Sequence, residues 1–150
     1  MATDKMPVKR EYLWLVVAVL VVGLVVTYWE NQPVPFGRRV FEGLVNGQQA
    51  IHRAIDWEHL KAFDTDVGAT YAKLPNEREK ADYRRAFIER CAAGFRQGGG
   101  SVRAFTNWRV EERTGEQVVV AADYSAKQST LLLSLTTQWP AQLRGLEWQR

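Results

Sequence analysis

Eighteen consecutive residues, Tyr12 to Trp29, hold eleven leucines and valines and no charged side chain, and no other feature limits the fold of this chain as strongly. Lipid offers a backbone no hydrogen-bond partner, so a single apolar segment of this length is expected to be a helix. At 1.5 Å per residue it would reach about 27 Å, close to the hydrocarbon thickness of a bilayer. Tyr12 and Trp14 stand at one edge and Tyr28 and Trp29 at the other, where amphipathic rings sit at headgroup level. These four residues are the expected membrane-interface contacts. A cleaved secretory signal would have a shorter apolar core and a small-residue cleavage site, whereas this one runs into Thr27-Tyr28-Trp29-Glu30. The segment therefore reads as an uncleaved signal anchor, with the bilayer as its first partner.

Orientation follows from charge. Lys5, Lys9 and Arg10 precede the span, and Arg38 and Arg39 are the bases in the twenty residues after it. The positive-inside tendency then keeps residues 1–11 in the cytoplasm and exports the remainder. The expected setting is a bacterial inner membrane with a periplasmic C-terminal domain. The formal charge of +3 is too small and too dispersed for a nucleic-acid footprint. Cys91 is the single cysteine, which rules out an intramolecular disulfide and a cysteine metal cluster.

Beyond the span, Pro33 and Pro35 predict a stiff, non-helical spacer over 30–35 that leads into one soluble α+β domain over 36–150. Phe41, Leu44, Ile51 and Ile55 keep helical spacing as far as Asp56. A second helix, capped by Asp56, would present Leu60, Phe63, Val67, Tyr71 and Leu74 and stop at Pro75. A third starts at Asn76 with Glu79 as its capping-box partner, shows Phe87, Ile88, Cys91 and Phe95 on one face, and ends at Gly98-Gly99-Gly100. From Val102 the period falls to two. Val102, Ala104, Thr106, Trp108 and Val110 alternate with Arg103, Asn107, Arg109 and Glu111, and Phe105 lies out of place on the polar side. Val118–Tyr124, Thr130–Gln138 and Leu143–Gln149 follow as strands, so helices packed on a curved antiparallel sheet of three to four strands are expected.

Phe105-Thr106-Asn107-Trp108-Arg109-Val110, Val118 to Tyr124, Leu131 to Thr137 and Leu143-Arg144-Gly145-Leu146-Glu147-Trp148 together resemble the nuclear transport factor 2-like superfamily, over roughly residues 50 to 149. The resemblance implies a cone-shaped, cystatin-like fold. Members include ketosteroid isomerase-like and dehydratase-like enzymes, many non-enzymatic domains, and the membrane-anchored periplasmic assembly component of type IV secretion systems.

Candidate chemistry is sparse. His52 and His59 are seven apart with Asp56 between them, whereas a helical metal pair is usually four apart. No metal and no cofactor are expected. Asp123, opposite the valines at 118 and 120, is either an inward acid of the isomerase type or, as exposure of aspartates favours, a solvated strand-end charge. Gln97-Gly98-Gly99-Gly100-Ser101 follows a helix and lacks the lysine of a phosphate loop. Cys91 on the apolar stripe reads as a buried, inert thiol.

No nucleophile, base and orienter assemble, so the expectation is a non-enzymatic anchored protein whose exported domain binds other membrane-protein subunits. Arg109, Trp139 and Arg144 are the candidate partner contacts, because arginine and tryptophan dominate binding hot spots. The alternative is an enzyme or carrier holding a small ligand inside the cone. A cone filled by Phe63, Phe87, Phe95, Trp108 and Leu133 would favour the first, and a cavity with an inward carboxylate the second.

Overall fold

A computed structural model describes residues 10–30 and 32–150. The tail expected over 1–11 lies, as far as residue 9, outside the described residues. The chain forms two compact units, residues 1–32 and 33–150, and each is described by itself.

The first unit is one helix, α1 (Arg10–Glu30), in which every side chain from Tyr12 to Trp29 is exposed. It is long and apolar enough to cross a membrane. The Thr27 hydroxyl is not left idle, since Oγ1 donates to the carbonyl of Gly23 at 2.8 Å, a bond that lipid could not supply. Tyr12 and Trp14 lie near one end and Tyr28 and Trp29 near the other.

The second unit starts on a correction. Pro33 and Pro35 do not hold an extended spacer but open helix α2 (Pro33–Val45). A helix's first turn has no intrahelical acceptor for its N–H groups, so proline costs nothing there and its fixed φ favours entry. The helix is also shorter than the apolar spacing implied. Gly47 at φ +70° turns the chain, with Gln48 N–H donating to Gly43 O at 2.9 Å and Gly47 N–H to Leu44 O at 3.2 Å, the paired bonds of a glycine C-cap. Ile51 then falls in a 3₁₀ stretch, Gln49–Ala54.

The second expected helix is also interrupted. Lys61–Ala62 (β1) and Thr65–Asp66 (β2) form a minimal hairpin around Phe63 at φ +51°, and only Val67–Ala72 (α3) is helical. Asp66, rather than Asp56, is the cap, its Oδ1 accepting from Ala69 N–H at 2.9 Å. Helix α4 (Glu77–Gln97) matches the reading at both ends: Asn76 Oδ1 accepts from Glu79 N–H at 2.9 Å, and Gly98 follows the last turn.

The four expected strands are present as β3 (Phe105–Arg113), β4 (Gln117–Tyr124), β5 (Ser129–Thr136) and β6 (Leu143–Gln149). The short hairpin extends them to a curved, unclosed sheet of six strands in the order β2-β1-β6-β5-β4-β3. β1 joins β6 in parallel, Lys61 opposite Gly145 and Ala62 opposite Leu146. Register breaks between Thr106 and Arg109 in β3 and beside Ser134 in β5–β6 bend the sheet. The first break also explains the misplaced Phe105. Asn107, at φ +51°, inserts a residue, so Phe105 faces the core and Trp108, three residues on, faces it too. Arg103 precedes the strand, in a 3₁₀ turn.

One face of the sheet bears Val118, Val120, Ala122 and Tyr124 of β4 with Leu131, Leu133 and Leu135 of β5, all buried. α2 packs on it closely, because a Cβ on Gly37 would stand 3.4 Å from Leu135 and 3.6 Å from Val120. Phe36, Val40, Phe41 and Leu44 of α2 and Phe87 and Ile88 of α4 join this core, as do Leu60, Val67 and Leu143.

Candidate functional site: an aromatic groove with a basic rim

The core does not close at the end of the sheet where β3 begins and β4 ends. A groove of about 740 Å³ opens there between the strand ends, α2 and the last turns of α4. From α4 come Arg90, Cys91, Gly94, Phe95 and the flanking Gly98, a spacing of one, four, five and eight that puts them on one helical face. α2 adds Phe41, Leu44 and Val45, the β1–β2 hairpin Phe63, and the sheet Phe105, Tyr124, Leu146 and Trp148.

These rings touch one another in sequence. Phe105 stacks on Tyr124 with centroids 4.6 Å apart and meets Phe41 at 4.7 Å. Phe95 stands edge-on to Phe41 at 6.1 Å, and Trp148 lies 5.7 Å from Tyr124 and 6.1 Å from Phe105. The floor (Phe41, Leu44, Phe105, Tyr124 and Leu146) is buried. The lip is different. Phe63 is 43% exposed and Trp148 40%, stacked on each other at 6.1 Å with 16° between planes. An exposed pair of rings held parallel at the mouth of an apolar slot is a surface of the kind that marks a binding groove.

The groove's charged side chains have one sign. Arg90, Lys127 and Arg150 line it, and no side-chain carboxylate or imidazole does among the described lining residues. Burial pushes the Cys91 thiol up to about 11 against a small opposing effect of Arg90, so at neutral pH it is a protonated, unreactive part of the wall.

The carboxylates are elsewhere. Asp123 points to the opposite sheet face, where its oxygens accept from Asn107 Nδ2 (2.8 Å), Arg109 (2.9 Å) and Thr130 Oγ1 (3.3 Å), and these bonds, the one from Asn107 first, lower its pKa. The Asp123 bond raises that of Arg109 in turn. This is a clamp across the β3 bulge. Asp56 accepts from Arg144 Nε at 2.8 Å and faces His59 Nδ1 at 3.0 Å. Burial would raise its pKa, but those two partners outweigh burial and lower it. His52 sits apart, its Nδ1 2.8 Å from the carbonyl of Gln49.

Of the residues expected to contact a partner, Trp139 is 73% exposed on the β5–β6 loop. Arg109 and Arg144 are on β3 and β6, with β4 and β5 between them, and each is already in an ion pair. Among the described residues no hydrogen bond or ion pair joins any two of the three. The sequence carries an internal pocket only as an alternative and does not assign Arg90, Lys127 or Arg150 to it. The groove's one local signal is Gly94, a glycine set in the apolar stripe of a long helix.

No protein family, no curated protein and no solved structure matches this chain.

Proposed function

We propose that this protein is a single-pass protein of the bacterial inner membrane, with a cytoplasmic N-terminus and an exported domain, Pro33–Arg150. The domain works by binding rather than by catalysis, as an accessory or assembly subunit of a larger membrane complex. The observation that supports this most is the character of the groove: six aromatic rings, three cations, and a thiol kept protonated by burial. General acid–base chemistry is carried most often by an imidazole or a carboxylate, and the described side chains that line the groove include neither.

Two further features support the setting. The basic residues weigh three to two in favour of a cytoplasmic N-terminus. Two residues of chain separate α1 from α2, so span and domain are joined by a short tether. The resemblance to the nuclear transport factor 2-like superfamily agrees with helices laid on one face of a curved sheet and with Leu143-Arg144-Gly145-Leu146-Glu147-Trp148 as its last strand. The reading that the domain is a small-ligand carrier is favoured by the groove itself.

Purification from the native membrane in mild detergent tests the proposal. Stoichiometric co-purifying membrane chains are expected. A monodisperse single species, in every detergent that preserves the fold, would contradict it.

A further inference from the structure

The groove's shape and charge specify a ligand class. We propose that it binds a single-chain anionic amphiphile, a long-chain carboxylate whose hydrocarbon lies on Phe41, Phe95, Phe105 and Trp148 and whose carboxylate meets Arg90, Lys127 and Arg150. This goes beyond the partner-binding function and does not depend on it.

Four observations lead there. A volume of about 740 Å³ is that of a site for one small molecule. Its inner surface is aromatic and aliphatic. A peptide laid into it would leave backbone N–H and C=O groups without partners, at a cost a hydrocarbon chain avoids. The rim offers two guanidiniums and an ammonium, none held in an ion pair among the described residues, and a guanidinium fork matches a carboxylate.

The fourth observation is Gly94. A Cβ built there would meet nothing within 4 Å, so no packing contact requires a glycine. Glycine inside a helix is about 1 kcal/mol less favourable than alanine. A larger residue at 94 would extend into the groove, and glycine leaves that volume free. The neighbouring thiol contributes no competing anion.

The test uses the full chain in phosphatidylcholine nanodiscs and the probe dansyl-undecanoate, excited directly and read as its fluorescence enhancement over nanodiscs without protein. The expected result is a saturable signal, displaced by oleate and not by methyl oleate. Gly94→Phe, which fills the slot, should weaken probe binding by at least about tenfold while the domain's melting is unchanged. Arg90→Glu combined with Lys127→Glu, at exposed positions that leave the core intact, should weaken it by about tenfold as well. Should Gly94→Phe fail to fold, the charge-reversal pair still decides.

Full affinity in both variants, or equal displacement by the methyl ester, would overturn the assignment. So would displacement by dioleoyl phosphatidylglycerol vesicles alone, which would make the occupant a diacyl lipid. A partner polypeptide cross-linked inside the groove and not displaced by oleate would also overturn it.

Discussion

Phe105 is the residue on which groove and core depend together. It is 4% exposed and meets five rings, Tyr124 at 4.6 Å, Phe41 at 4.7 Å, Phe95 and Trp148 at 6.1 Å, and Trp108 at 6.5 Å. Removing a buried phenylalanine side chain costs about 3–5 kcal/mol, the upper part arising where the cavity stays empty. Here the vacated space adjoins the open groove, so water can enter and the penalty should fall at the lower end. Phe105→Ala is therefore expected to lose about 3 kcal/mol. Phe105→Leu, which keeps most of the volume and loses the ring contacts, should lose about 1 kcal/mol. Urea unfolding of the full chain, followed by tryptophan fluorescence, measures both. With a slope of about 1.5–2 kcal/mol per molar for a domain this size, the alanine midpoint should drop by roughly 1.5–2 M at unchanged slope. A drop under about 0.5 M would refute the inward placement of Phe105, and with it the β3 bulge and the groove floor.

Other expectations follow from single contacts. Asp56→Asn should destabilise the domain by about 1–2 kcal/mol near neutral pH. Because the folded carboxylate has its pKa lowered from 3.8, its contribution is complete above that value and is lost as pH falls through the lowered one; the gap to wild type should narrow in acid, and a widening gap would contradict the Arg144 contact. Gly68→Ala would drive a Cβ into the Glu58 carbonyl oxygen and should cost about 1–3 kcal/mol, whereas Gly94→Ala should leave stability equal or higher by up to about 1 kcal/mol; thermal melting separates the two. Trp139→Ala should weaken partner affinity by about 2 kcal/mol with little change in melting temperature, since the ring is 73% exposed; a large drop in melting temperature would end its role as a binding contact. A reporter active only outside the cytoplasm should be active when fused after Arg150, and activity only from a cytoplasmic reporter there would reverse the orientation.

Sequence and structure agree where a local rule is strong. Asn76 and Glu79 mark the start of α4 because side-chain capping is settled within one turn, and the period-two runs from Val118, Thr130 and Leu143 appear as strands because burying one face selects alternate residues. Apolar spacing misled where it continued across a turn. Ile51 stays in phase with Leu44, yet Asn46-Gly47 had already ended the helix, and Leu60 with Val67 spans a hairpin that Phe63 turns at positive φ. That hairpin owes its existence to the parallel edge of β6, a partner more than eighty residues away that no local pattern registers. The groove was illegible for the same reason. Phe41, Phe63, Phe95, Phe105, Tyr124 and Trp148 are distant in sequence and come together only once β3 shifts register at Asn107.

The central claim, that a membrane-tethered domain acts by holding a partner, is tested most directly by placing a photoactivatable residue on the domain in native membranes. Substituted at Trp139, it should cross-link to a distinct membrane-protein chain, in a yield that falls when the same residue is moved to exposed Glu112 on the far edge strand. Cross-links at neither position, or equal labelling of many unrelated proteins from both, would contradict the account.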